Sequence, residues 1–460
     1  MPRPVTSPRP TTSPRPAPPG ARHPHRPHRL RRAATAGVCA LTLATAACSS
    51  APDPARPGDT ATTSGSAEAR ATGAASSPGT PSPDHPGRIL GADPVTSAAA
   101  PAGGHTWRVT YSATGAAGSP TTMSGLVTLP DGPAPEGGFP VVSWAHGTTG
   151  AGGRCAPSVY RPGGPNGDAL EMVAGYLTRW TDRGYAVVQP DFEGLGVGGG
   201  EGDDGGDGDG VGRGEGDGRG DDAARPTGTY LDRGSLASSV NDLVTAATDH
   251  FHLAGRWENI GWSQGGFAAL AAASADRPAP GLDRTVAVAP GDSTLVPPRA
   301  EQAGLGAADV LGAVTGPNLA FFPVMLGGAL TADPALDGDA FLNDAGRDLV
   351  ATAAHDCIDE LRDDIPDTTT GADLLAPDAD LTAVTDYLDR QQIARMRPQG
   401  PVLMLHGTDD TTVQGDNVTD AAAALRDAGV DVRYEDVPGA DHRQSVDASW
   451  DAQARFLGVG

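Results

Sequence analysis

Residues 259–267 read Asn259-Ile260-Gly261-Trp262-Ser263-Gln264-Gly265-Gly266-Phe267 and run into an alanine-rich segment that ends at Ala273. The pattern predicts a short strand, a tight turn and a helix, with Ser263 at the turn. The spacing Gly261-x-Ser263-x-Gly265 is that of a nucleophile elbow, because so sharp a turn leaves no room for side chains two residues on either side of the serine. Glycine makes up 64 of the 460 residues, so the motif is weak unless the chain also supplies an acid and a base.

Apolar runs alternate with segments of helical spacing on both sides of this turn. The runs that predict buried strands are 139–145, 185–191, 285–290 and 401–406, and the helical segments include 168–183, 234–250 and 417–428. Strands joined by crossover helices form a parallel sheet. The sequence therefore predicts an α/β fold in one domain, residues 104–460, with helices on both faces of the sheet and an inserted helical cap at 295–398.

Two loops after predicted strands carry an acid and a histidine. Asp409 and Asp410 follow the strand 401–406, and the sequence Gly439-Ala440-Asp441-His442 follows an alternating segment at 430–437. Open α/β sheets bind their ligands at the carboxyl ends of the strands. A serine hydroxyl needs a base to remove its proton and a third group to orient that base, and the order serine, acid, histidine is present here.

These pieces resemble an α/β-hydrolase, most closely the secretory lipase-type serine esterases. The matching segments are His146-Gly147-Thr148-Thr149-Gly150, 189–196, 261–266, 406–413 and 439–442. The resemblance implies that Ser263 is the nucleophile, His442 the base and Asp410 the acid. Asp292, which follows the strand 285–290, and Asp409 remain alternative acids.

A tetrahedral oxyanion needs preorganised hydrogen-bond donors. The elbow itself supplies the backbone N–H of Gln264, and the resemblance implies the backbone N–H of Thr148 as the second donor. The Thr148 hydroxyl is a further candidate. We expect structural roles for His146 and for His406, and the pattern of histidines, cysteines and acids predicts neither a metal site nor a cofactor.

The N-terminal segment predicts export. Residues 1–47 have the pattern of a signal peptide, with Arg31-Arg32 before an apolar stretch too short to span a bilayer comfortably. Small residues directly before Cys48 resemble a bacterial lipoprotein signal, in which lipid on Cys48 anchors the protein to the membrane. Ordinary cleavage and secretion remain the alternative, and residues 48–103, rich in Ala, Pro, Ser and Thr, are predicted to be a disordered tether. Either route places the protein outside the cell or on its surface.

The charge is strongly acidic, with a net value of −24, which argues against nucleic acid as a partner. A Gly/Asp-rich segment, 194–226, cannot pack a core and is predicted to be a disordered insertion beside the active-site face. Calcium binding by this segment is a weaker alternative, because neither a regular nonapeptide repeat nor an EF-hand loop is present. The sequence does not predict an oligomeric state.

Two cysteines, Cys155 and Cys357, lie outside the targeting region. In an oxidising compartment we expect them to form a disulfide that joins the cap to the core. Apolar cap residues are expected to shape an acyl pocket: Leu295, Val296, Leu305, Val310, Leu311, Leu319, Phe321, Phe322, Val324, Met325 and Leu326.

The resulting expectation is an exported serine hydrolase that cleaves small-molecule or lipid carboxylic esters. A serine peptidase of the same fold, a non-catalytic surface lipoprotein, and calcium-dependent adhesion through the Gly/Asp-rich segment remain the alternatives.

Overall fold

The computed structural model describes residues 85–197 and 228–459. The predicted signal peptide 1–47, Cys48, most of the predicted tether and residues 198–226 of the predicted insertion lie outside these ranges. None of the helices within them is long and apolar enough to cross a membrane.

The described residues form a single mixed sheet of nine strands, in the spatial order β1-β2-β3-β5-β4-β6-β7-β8-β9. The first three strands and the β3–β5 pair are antiparallel, and every pair from β5 through β4 to β9 is parallel. The strands are β1 Arg88–Val95, β2 Gly104–Thr114, β3 Pro120–Pro130, β4 Val141–Ala145, β5 Ala186–Pro190, β6 Trp257–Trp262, β7 Leu282–Val288, β8 Val402–Gly407 and β9 Val432–Val437.

Helices cover both faces of the sheet. The helices outside the cap are α1 Gly167–Thr181, α2 Arg233–Phe251, α3 Gln264–Ala273, α10 Gly415–Asp427, α11 Gln444–Ala448 and α12 Trp450–Leu457. Successive strand residues point to opposite faces of the sheet. Val402 and Met404 of β8 therefore lie in one core, together with residues of α2, α3 and α10. Its residues Leu403 and Leu405 enter the opposite core, under α1 and α12. The predicted α/β architecture with helices on both faces is therefore confirmed.

Between β7 and β8 the chain forms a helical layer with its own apolar cluster, which includes Leu311, Phe322 and Leu388. Its helices are α4 Pro298–Gln302, α5 Ala307–Gly312, α6 Phe321–Ala332, α7 Asp344–Ala353, α8 Ile358–Asp364 and α9 Thr382–Gln391. We call this layer the cap. The predicted disulfide between Cys155 and Cys357 is present and joins the cap to the core across 202 residues of sequence.

The structure corrects two predicted boundaries. Strand β1 lies inside the segment 48–103 that was assigned to a disordered tether, so folded structure begins before residue 104. β1 is an edge strand that is held mainly by backbone pairing to β2, and none of its residues is buried. Its sequence therefore lacks the alternation of apolar and polar residues by which a strand is predicted. The Gly/Asp-rich insertion also starts later than residue 194, because Leu195 is buried and the N–H of Gly196 donates to the carbonyl of Gly153.

Candidate active site

Ser263 lies between β6 and α3 with φ 57° and ψ −120°. A non-glycine residue at positive φ is strained, and such strain concentrates at functional sites. The backbone on either side of Ser263 comes so close to other backbone atoms that only glycine fits at both flanking positions. A Cβ on Gly261 would lie 1.9 Å from the carbonyl oxygen of Gly265. A Cβ on Gly265 would lie equally close to the carbonyl oxygen of Ala145. The chain therefore makes the sharp turn that the Gly-x-Ser-x-Gly spacing predicts, packed against the end of β4.

The acid that contacts the histidine is Asp410. Its Oδ2 accepts a hydrogen bond from Nδ1 of His442 at 2.7 Å, and its Oδ1 accepts from the backbone N–H groups of Thr412 at 2.8 Å and Val413 at 3.0 Å. The carboxylate is fully buried. Burial alone would raise the pKa of Asp410, but the hydrogen bond and charge of His442 and the two backbone donors outweigh it and lower that pKa below its usual value. This carboxylate therefore stays ionised beside the histidine.

The alternative acids lie elsewhere. Asp409 is exposed, and its backbone N–H donates to the carbonyl of Ala440. Asp292 accepts hydrogen bonds from the N–H of Ile393 and the hydroxyl of Thr294 beneath the cap. Neither carboxylate makes a hydrogen bond to His442 among the described contacts.

The histidine loop is tied to the elbow by backbone and ring contacts. Nε1 of Trp262, the residue before Ser263, donates to the carbonyl oxygen of His442 at 3.0 Å, and the two rings lie 5.1 Å apart. The side chains of Ser263 and His442 line the same small cavity. No hydrogen bond joins them within the described part of the chain, as is common before a substrate aligns the pair.

Both candidate oxyanion donors lie beside this serine. Gln264 is the first residue of α3, where the N–H has no acceptor within the helix. Thr148 follows β4, whose Ala145 is paired in register with Gly261 of β6. The Thr148 hydroxyl, a candidate third donor, lies 2.9 Å from the hydroxyl of Tyr230.

Two other histidines near the site, His146 and His406, make contacts typical of structural residues. His146 is buried, stacks on Phe192 with ring centroids 4.2 Å apart, and lies 2.7 Å through Nδ1 from the carbonyl oxygen of Gly147. Burial lowers its pKa to about 4, so the ring is neutral at physiological pH. His406 packs behind the acid, with Nε2 2.9 Å from the carbonyl oxygen of Val413.

Ser263 also borders a second, larger cavity of about 470 Å³ beneath the cap. Of the apolar cap residues expected at an acyl pocket, Phe321 and Met325 line it, whereas Leu305 is exposed and most of the others pack inside the cap. The expectation was wrong for Leu305 and for the residues that pack inside the cap, because most apolar side chains of the cap form its own core. The remaining apolar lining includes residues that were not expected at an acyl pocket: Tyr230, Leu231, Val314, Ile393, Val413 and Val418.

The described residues on either side of the gap at 198–227 lie against the loop that follows His146-Gly147. Gly196 donates to the carbonyl of Gly153, and Gly228 donates to the carbonyl of Ala151, both at 2.9 Å. Both flanking glycines are therefore held next to the candidate oxyanion loop. Among the described residues, no cluster of His, Cys, Asp or Glu is arranged to hold a metal ion.

Comparisons with known proteins agree with this architecture. A family model described as the prolyl oligopeptidase family matches residues 357–457, and no curated protein matches the chain significantly. The crystal structure of Candida antarctica lipase A in its closed state superposes with a TM-score of 0.60 at 15% identity, covering 82% of this chain and 83% of the lipase. The rice cell wall degrading esterase LipA from Xanthomonas oryzae gives a TM-score of 0.57 at 18% identity, covering 82% of this chain and 97% of the esterase. Together with the sheet order and the strained serine turn, these similarities show that the chain has the α/β-hydrolase fold.

Proposed function

We propose that this protein is a serine hydrolase that cleaves carboxylic esters, with Ser263 as nucleophile, His442 as general base and Asp410 as the acid that orients it. The observation that carries the proposal is the buried Asp410 carboxylate, 2.7 Å from Nδ1 of a histidine whose side chain shares a cavity with a serine on a strained turn. Hydrolases with similar folds, a lipase and a cell wall esterase, support the choice of esters.

In this mechanism Oγ of Ser263 attacks the ester carbonyl while Nε2 of His442 removes its proton. The backbone N–H groups of Gln264 and Thr148 receive the developing oxyanion. His442 then returns the proton to the alcohol oxygen as the C–O bond breaks, leaving an acyl-enzyme that water hydrolyses by the same route. Asp410 fixes the imidazole tautomer and stabilises its protonated form.

The large cavity beneath the cap is suited to the acyl chain. Its volume of about 470 Å³ lies within the roughly 300–1,000 Å³ typical of small-molecule sites. Phe321, Met325 and Val314 give it an apolar wall, and Ser263 lies at its edge. We therefore expect acyl chains of medium length to be cleaved faster than acetyl groups.

A series of p-nitrophenyl esters of increasing acyl length tests this proposal. Ser263→Ala should lower kcat by at least about a thousand-fold, whereas Ser274→Ala, at the other end of α3, should retain activity. Labelling of the protein by a fluorophosphonate should disappear in the Ser263→Ala variant and persist in the control. Unchanged ester cleavage by Ser263→Ala would exclude this mechanism.

A second candidate is the cleavage of peptide amides, favoured by the match of residues 357–457 to the prolyl oligopeptidase family. The same catalytic groups would act on an amide. Aminoacyl and peptidyl p-nitroanilides, assayed beside the ester series, separate the two candidates. Each kcat/KM is divided by the rate constant for alkaline hydrolysis of the same substrate, and a normalised value for an anilide above that of every ester would assign the protein to the peptidases.

We propose that the protein is exported and anchored through lipid on Cys48. The disulfide between Cys155 and Cys357 supports an oxidising compartment. Fractionation of a native host, with mass spectrometry of the mature N-terminus, tests the proposal. Membrane association that is lost on Cys48→Ser supports the anchor, and an unlipidated N-terminus in the wild type excludes it.

A further inference from the structure

The small cavity beside Ser263 differs in chemistry from the large one. Its volume is about 50 Å³, and its lining includes His442, which is absent from the described lining of the large cavity. In the proposed mechanism, His442 must deliver a proton to the oxygen of the departing alcohol. The alcohol portion of the ester therefore lies in the small cavity, and this inference rests on the proposed function.

Several residues that line this small cavity also carry a buried polar atom without a partner. Trp144 Nε1, Thr149 Oγ1 and Gln189 Oε1 belong to lining residues, are shielded from solvent, and make no hydrogen bond within the described chain. The same holds for His146 Nε2 and Arg362 Nε. Buried polar groups are nearly always hydrogen-bonded in folded proteins. Because these five atoms are shielded even from water, they lie behind the cavity wall and do not themselves contact an occupant.

Two arginines form one wall of the small cavity. Arg362 comes from α8 of the cap, and Arg443 directly follows His442. Nη1 of Arg362 and Nη2 of Arg443 lie 3.4 Å and 3.5 Å from the same oxygen, Oδ1 of Asp359. Asp359 also lines the small cavity, so one carboxylate and two guanidinium groups face it, with a net charge of +1.

Arg362 is held in place while part of its hydrogen-bonding capacity stays unused. Its guanidinium lies over the ring of Phe321, 5.1 Å from the ring centroid, in an attractive cation–π contact. Burial lowers the pKa of Arg362, the Asp359 charge opposes this, and the neighbouring Arg443 lowers it further. The group remains charged, because arginine does not deprotonate in proteins.

We infer that the small cavity selects esters whose alcohol carries a carboxylate, and that Arg362 and Arg443 determine this specificity. A guanidinium presents parallel N–H donors that match the two oxygens of a carboxylate. The single surplus charge suits a monoanion. The reaction forms the Ser263 acyl ester, breaks the bond from the acyl carbon to the alcohol oxygen, and releases a hydroxy acid once His442 has protonated that oxygen.

The test compares two esters with one acyl group, the butanoyl ester of glycolate and that of glycolamide. The second alcohol has nearly the same size and no charge. Each kcat/KM, measured by pH-stat, is divided by the rate constant for alkaline hydrolysis of the same ester, to remove intrinsic reactivity. We expect the wild type to prefer the glycolate ester, with a ratio of about ten or more for charged over neutral substrate.

Arg362→Gln and Arg443→Gln should each lower this ratio by roughly ten- to one-hundred-fold. Arg362→Lys should recover part of the preference, because it restores charge without the planar fork. Asp359→Asn should raise the ratio, since it removes the carboxylate that competes for both arginines. Arg347→Gln is the matched control, a cap arginine of the same exposure as Arg443 that pairs with Asp339 and Asp344.

Thermal unfolding of each variant separates a loss of specificity from a loss of fold. A wild-type ratio near one, or a ratio that neither arginine substitution changes, would overturn the inference while ester hydrolysis itself stands. Failure of the wild type to cleave these two esters and the whole p-nitrophenyl series would reject the proposed function, and this inference with it.

Discussion

The indole N–H of Trp262 donates a hydrogen bond to the carbonyl oxygen of His442 at 3.0 Å. The residue directly before the candidate nucleophile thus holds the loop that carries the candidate base. Since Trp262 ends β6 and is packed in the core beneath α1 and α12, this contact sets the histidine loop against a rigid strand.

We expect Trp262→Phe to lower kcat by roughly ten- to one-hundred-fold, because a displacement of the base by about 1 Å is enough for such a loss. The matched control is Trp257→Phe at the other end of β6, where Nε1 donates to the carbonyl of Ala279 at 3.2 Å. Each variant loses one indole hydrogen bond to a backbone carbonyl. If the two variants lose equal activity on p-nitrophenyl butanoate, the contact has no special role in positioning the base.

Asp410→Asn should lower kcat by roughly 10⁴-fold, the size of the loss when the triad aspartate of a serine protease is replaced by asparagine. The asparagine can present an N–H where the carboxylate accepted one, which favours the wrong imidazole tautomer. Asp409→Asn changes an adjacent exposed carboxylate and should leave kcat within about twofold. A large loss in the Asp409 variant with little change in the Asp410 variant would reverse the assignment of the acid.

The sequence predicted those parts of the site that obey local rules. Gly261 and Gly265 are fixed by backbone approach, so their spacing around Ser263 reveals the turn without knowledge of the rest of the fold. Loops after parallel strands meet at one edge of a sheet, which made Asp409, Asp410 and His442 candidates. The choice of Asp410 as the acid came from the resemblance to the serine esterases.

The remaining features depend on contacts that no local pattern encodes. Asp359 and Arg362 are neighbours on α8, but Arg443 reaches Asp359 only because the cap folds back over the sheet. Neither arginine stands in a recognisable motif. Tyr230 meets Thr148 through a turn that directly follows the Gly/Asp-rich segment. Apolar cap residues look alike in composition whether they face a cavity or the cap core, which is why most of the expected acyl-pocket residues were placed wrongly.

The disulfide between Cys155 and Cys357 should stabilise the junction of cap and oxyanion loop. Beside it the N–H of Ile358 donates to the carbonyl of Thr149 at 3.0 Å, next to the candidate donor Thr148. Replacing both cysteines by serine should lower the free energy of unfolding by about 2–5 kcal/mol. Activity at 25 °C should fall by less than about tenfold, because the backbone contacts at the junction remain.

Thermal unfolding with and without reductant checks this expectation. Reductant should lower the melting temperature of the wild type to that of the Cys155→Ser/Cys357→Ser variant and leave the variant unchanged. An equal shift in both proteins would mean that the reductant acts elsewhere, and the junction would then owe its stability to other contacts.

Glu258, which lies outside the candidate active site, should make the free energy of unfolding depend on pH. It lies on β6 with its side chain buried, and burial together with the nearby charge of Asp283 raises its pKa from 4.5 to about 7, although Arg284 and Arg256 oppose the change. The folded protein then binds this proton more tightly than the unfolded chain, so the free energy of unfolding falls as pH rises from about 4.5 to about 7.

Glu258→Gln removes this titration. From pH 5 to pH 8 the variant should therefore gain stability relative to the wild type, by up to about 3 kcal/mol. Urea unfolding at a series of pH values measures the difference, and Glu136→Gln, an exposed carboxyl in the loop before β4, is the control that should show no such trend. A Glu258→Gln curve parallel to the wild-type curve would mean that the buried carboxyl stays ionised across this range, with Arg256 and Arg284 compensating its charge.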